Sequence, residues 1–150
     1  MSNDTYNVTV QETERTNSEQ EQNTEEEKKV TGKEVIQGRT IALIDLKGHV
    51  IQLVQDQSGN VYMYEKWSQD EDIIEIELGA IGEDQVIEEI TKVISEEFKL
   101  PKSVRGALKA KIKQVKLPIT ARLIQEERTN IVDIRGSRGK FQLAVKYYIQ

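Results

Sequence analysis

The apolar positions along the chain change period twice. Between residues 40 and 78 they come in short runs: TIALIDL (40–46), HVIQLVQ (49–55), VYMYEKW (61–67) and IIEIEL (73–78). β-Branched and aromatic residues fill these runs, and Lys47-Gly48 and Asp56-Gln57-Ser58-Gly59-Asn60 divide them. Runs of this kind, split by turn residues, predict an antiparallel meander of strands. After Gly79 and Gly82 the spacing becomes helical, with Val86, Ile87, Ile90, Val93, Ile94 and Phe98 on one face. A helix over 83–98 is predicted, with Glu83 and Asp84 placed where carboxylates favour the helix dipole. Its outer face carries Glu88, Glu89, Glu96 and Glu97.

A second helix is predicted in PKSVRGALKAKIKQVKLP, between Pro101 and Pro118. On a wheel of about 100° per residue, Val104, Leu108, Ile112 and Val115 fall within roughly 80° of one another. Beyond Pro118 the period returns to two, in ITARLIQ (119–125), IVDIR (131–135) and residues 141–149. In the last run Phe141, Leu143, Val145, Tyr147 and Ile149 share a face. Strands, two helices, then strands predict an α+β fold, a largely antiparallel sheet with the helices on one face. Residues 33–150 form a single such domain in this reading.

The first 32 residues have another character. QETERTNSEQEQNTEEEKK holds no apolar residue between Val10 and Val30. Such a stretch buries too little surface to offset chain entropy, so residues 1–32 are expected to be a disordered acidic tail. Tyr6, Val8 and Val10 alternate, which hints at a short strand formed on contact and at a protein partner reached through the tail. The first residues have neither a basic start nor an apolar stretch of the kind a signal peptide carries. No run approaches the roughly 18 apolar residues of a membrane helix. A cytoplasmic location without a membrane partner is expected. There is no cysteine, so disulfides and cysteine-ligated metals are excluded.

Charge changes the picture most. Residues 1–98 carry 8 Lys and Arg against 23 Asp and Glu, while residues 99–150 carry 13 against 3. Asymmetry of this kind points to a nucleic-acid or membrane-surface partner with an acidic tail beside it, or to halves that neutralise each other within the fold. On the second helix Lys102, Arg105, Lys109, Lys113 and Lys116 form one stripe with no acid in the segment. Like charges at i,i+4 repel by a few tenths of a kcal/mol, so an anion is expected opposite, either a phosphate backbone or acids from the rest of the fold.

Arg135-Gly136-Ser137-Arg138-Gly139-Lys140 is the second positive feature. Its glycines would let backbone amides approach a phosphate, with Arg135, Arg138 and Lys140 around them; a plain hairpin turn is the other reading. It is not a Walker A loop, since Ile134 and Phe141 stand where glycine and Ser or Thr are needed. Tyr62 and Tyr64 share a strand face with Lys66 and could stack bases, or pack against a neighbouring strand.

His49, the only histidine, sits beside a turn glycine with no Ser or Cys partner in view, which favours a structural role over catalysis. The carboxylates show no metal-ligand or acid–base spacing, so neither catalytic nor metal residues, nor a cofactor, are predicted. The expected function is non-catalytic binding of nucleic acid, single-stranded DNA or RNA, with weak sequence preference. The alternative is an assembly subunit whose basic face meets an acidic protein. In the first case the tail, by mimicking nucleic-acid charge, is expected to compete for the basic surface.

Overall fold

Short turns set the architecture. At Lys47 and Gly48 both φ values are positive, 59° and 102°, as a two-residue hairpin turn requires. That turn folds β2 (Gly38–Leu46) back on β3 (His49–Asp56). Asp56 holds the next turn, its Oδ1 accepting from the backbone N–H of Ser58 and of Asn60, both at 2.9 Å. β4 (Val61–Lys66) and β5 (Ile74–Gly79) complete an antiparallel meander. The chain then enters α1 (Glu83–Phe98) and α2 (Lys102–Val115), and returns as β6 (Ile119–Gln125), β7 (Thr129–Gly136) and β8 (Gly139–Ile149), a second meander. The computed structural model describes residues 4–12, 38–68 and 71–149.

The two meanders meet at the parallel pair β2–β6, where Ala42 lies opposite Ile119 and Asp45 opposite Arg122. Parallel neighbours need a long connection, and β3 to β5 followed by the two helices supply it. These seven strands form one mostly antiparallel sheet, and β1 (Asp4–Glu12) adds an eighth along β8, giving the order β1-β8-β7-β6-β2-β3-β4-β5. The α+β fold expected from the sequence is the fold observed.

Within the expected tail, Asp4–Glu12 pair antiparallel with β8, Val8 opposite Val145, where the alternation of Tyr6, Val8 and Val10 hints at a short strand. β8 is eleven residues long and outruns β7, so it offers a full ladder to a segment that already alternates. Residues 1–3 and 13–37, the rest of the expected tail, lie outside the described residues.

One core lies between the sheet and the helices. From the sheet it takes Ile44, Ile51, Leu53, Ile119, Ile134, Phe141 and Leu143, and from the helices Ile90, Ile94, Leu108 and Ile112. All of these are essentially sealed from solvent. Each such side chain stabilises the fold by about 1.5–3 kcal/mol relative to exposure, which is why the helical and strand periods were readable. Val104, the outermost of the four apolar residues expected on α2, is half-buried.

Candidate nucleic-acid interface

The basic helix lies against the acidic one. Lys109 Nζ is 2.7 Å from Glu88 Oε1, and Lys113 Nζ is 3.1 Å from Asp84 Oδ1. The hydrogen bond from Lys113 is the main cause holding the Asp84 carboxyl below its ordinary value. The hydrogen bond to Glu88 likewise raises Lys109 above the ordinary lysine value, against a smaller effect of burial. Acids from α1 therefore meet the middle of the stripe. Arg105 turns back on its own helix start, its Nε donating to the Leu100 carbonyl at 3.1 Å. Lys102 and Lys116, at the two ends of α2, are exposed. A helix rises about 1.5 Å per residue, so roughly 20 Å separates them.

The β7–β8 turn docks on the end of α2. The backbone N–H of Arg138 donates to the Val115 carbonyl at 2.7 Å, and that of Ser137 to the Lys116 carbonyl at 3.0 Å. The last carbonyls of a helix have no partner within it, so these amides act as its cap. They are thereby engaged, and the expected use of loop amides to cradle a phosphate has this physical obstacle. The same docking brings two features apart in sequence to one end of the molecule: Lys116 from the stripe, and Arg138 from the loop, both exposed. Gly136 makes the approach possible, because a Cβ there would lie 2.3 Å from the Val115 carbonyl oxygen.

Arg135 and Lys140 lie directly opposite each other on the sheet face away from the helices. Arg135 Nε donates to Asp133 Oδ2 at 2.9 Å, and Gln142 Nε2 donates to the other oxygen of that carboxylate at 3.5 Å. Arg122 joins this face between Asp133 and Asp45, beside a shallow groove of about 600 Å³ floored by Leu43, Thr120 and Ile124. Strand periodicity alone placed no weight on Arg122. The signal that could have found it is the alternation of Thr120, Arg122 and Ile124 with the core residues Ile119, Ala121 and Leu123.

The two tyrosines are not brought to this region. Tyr64 is 4% exposed, with its hydroxyl donating to Glu75 Oε2 at 3.4 Å. Tyr62 is half-buried, and its hydroxyl is pushed above the ordinary phenol value by burial first, then by the carboxylates of Glu77, Asp56 and Glu75. They pack between β3 and β5 in acidic surroundings, so Tyr64 offers no open ring face for stacking a base.

His49 has partners that the sequence did not reveal. Its Nε2 lies 2.8 Å from Glu65 Oε2 and its Nδ1 3.1 Å from Glu97 Oε1. The ring stacks on Trp67 with centroids 3.8 Å apart and planes 15° from parallel. This ties the end of α1 to β3 and β4. The two nitrogens point to opposite sides, and among the described residues no group of three or more His, Cys, Asp or Glu is placed to hold a metal ion. Also among the described residues, no helix is long and apolar enough to cross a membrane.

Comparison with known proteins finds no matching family, no matching curated protein and no matching solved structure.

Proposed function

We propose that the protein binds nucleic acid without catalysing a reaction on it, in the cytoplasm, through the cationic end built from α2 and the β7–β8 hairpin. The observation that carries this reading is the docking of the hairpin on the end of α2, which sets Lys116 beside the turn that carries Arg138. Arg135 and Lys140 extend the charge onto the adjoining sheet face, and Lys102 and Arg105 extend it along α2. Lys109 and Lys113, held by Glu88 and Asp84, contribute less.

Contacts of this kind are to phosphate and carry little sequence information. Arg135 and Lys140 line an open sheet face rather than a recognition helix, which favours single strands, DNA or RNA, over the duplex.

The test is a gel shift with unrelated single-stranded oligonucleotides over a salt series. Binding should weaken linearly on a log–log plot, with a slope of about 0.7 for each phosphate contacted. Lys116→Gln with Arg138→Gln should flatten the slope by about two such contacts, while Lys109→Gln should leave it nearly unchanged. No shift at low salt, together with capture of an acidic polypeptide by the same residues, would favour the assembly reading instead.

A further inference from the structure

β5 closes the sheet on the side away from β1, and none of its six residues is buried. Among the described residues, no strand pairs with its outer edge. Such an edge presents unpaired N–H and C=O groups that another strand can use. Ile74 and Ile76 lie opposite Glu65 and Met63, on the helix-side face of the sheet. The fold leaves them 46% and 38% exposed. Trp67, just past β4 and on the same side, is 50% exposed. Three large apolar side chains thus line one margin of the sheet. On the other face β5 carries Glu75 and Glu77, both exposed, opposite Tyr64 and Tyr62.

The pattern rejects one occupant and fits another. A second copy pairing antiparallel about Ile76 would set Glu75 of each copy against Glu77 of the other, and like charges directly opposed destabilise a ladder. A strand with Lys or Arg at those positions gains the same interaction with opposite sign. We propose that β5 is a docking edge for an extended segment of another protein in which apolar residues alternate with Lys or Arg. Main-chain hydrogen bonds to β5 give affinity, while side chains on the two faces give specificity. The apolar residues of the segment rest on Ile74, Ile76 and Trp67, and its basic residues meet Glu75 and Glu77. This edge lies across the sheet from the cationic end and does not depend on nucleic-acid binding.

Trp67 is the only tryptophan in the chain, so its emission reports on this margin. The probe is a short peptide alternating valine and lysine, titrated into the full chain against its valine–glutamate counterpart. A saturable blue shift is expected with the lysine peptide, and affinity about tenfold weaker for the glutamate one, the effect of two cross-strand charge pairs. Methylating the peptide's backbone nitrogens that face β5 should abolish binding. Glu75→Lys with Glu77→Lys should reverse the preference, and the peptide swap on the unaltered protein decides the matter if that variant fails to fold. Equal binding of the two peptides, no saturable change, or self-association abolished by Ile76→Lys would each overturn the proposal.

Discussion

Gly106 stands in the middle of α2, and nothing beyond the helix's own backbone lies within 4 Å of where its Cβ would be. Neither a neighbouring helix nor the core needs the gap. Glycine costs about 1 kcal/mol against alanine inside a helix, so Gly106→Ala should stabilise the protein by roughly that amount in denaturant unfolding. Unchanged nucleic-acid affinity is also expected, since no phosphate approach at Gly106 is part of the proposed interface. His49 is the opposite case. Its removal in His49→Ala leaves Glu65 and Glu97 without the ring they face. Buried or half-buried acceptors that lose a partner cost about 1–3 kcal/mol, so a loss of that size is expected by the same measurement. Asp84 gives a prediction with a sign in pH. Its carboxyl is held low by Lys113, so the folded state favours the charged form. That stability is present above the unfolded carboxylate value and is lost as pH falls through the lower folded value. The advantage of the native protein over Asp84→Asn should therefore be seen at neutral pH and shrink only in strong acid. A difference that grows on acidification would show that the pair does not form.

Between elements, the decisive contact is the hairpin against the end of α2. Gly136→Val places a side chain where the Val115 carbonyl already stands. The hairpin must lift, exposing the carbonyls that Ser137 and Arg138 now cap, and a destabilisation of about 1–3 kcal/mol is expected. If the proposed interface is correct, nucleic-acid affinity falls with it, because Lys116 and Arg138 no longer share one end. Lost stability with unchanged affinity at a temperature where the variant is folded would separate the two claims.

Much of this arrangement was legible in local pattern. Lys47-Gly48 marked a hairpin, Gly82 marked the helix start, and alternation from Phe141 marked the last strand. Contacts between distant segments were not. Nothing in a period of two says that β2 runs beside β6, or that Tyr6, Val8 and Val10 find β8. The basic stripe read as unbalanced because Glu88 and Asp84 belong to another helix. The Gly136-Ser137-Arg138-Gly139 turn read equally as an anion cradle or a plain hairpin, because the orphan carbonyls of α2 appear only once the chain has folded. For Tyr64 the strand period left both base stacking and packing open, because it gives a face and says nothing of how that face is covered.

At the scale of the whole molecule, topology decides where the acidic segment is tethered. The chain leaves β1 at Glu12, opposite Phe141, just past the β7–β8 turn. It re-enters at Gly38, the start of β2, which runs parallel to β6 as that strand leaves α2. Both attachment points are thus at the end of the sheet that carries Lys116 and Arg138. Between them the sequence holds seven glutamates, Glu14, Glu19, Glu21, Glu25, Glu26, Glu27 and Glu34, against four cations, Arg15, Lys28, Lys29 and Lys33. Covalent linkage keeps these carboxylates near the cationic end at an effective concentration of the order of millimolar. If the proposed interface is correct, they compete there with phosphates for the same cations. Replacing Glu19, Glu21, Glu25, Glu26 and Glu27 by glutamine keeps the chain length and removes most of that charge. Affinity for single-stranded oligonucleotides should then rise several-fold at low salt. The gain should fade with added salt, as the screening length shrinks from about 10 Å at 0.1 M to about 3 Å at 1 M. Equal affinity of the two proteins at 50 mM salt would show that the acidic segment does not compete, while a gain that persists at high salt would assign it a contact other than charge.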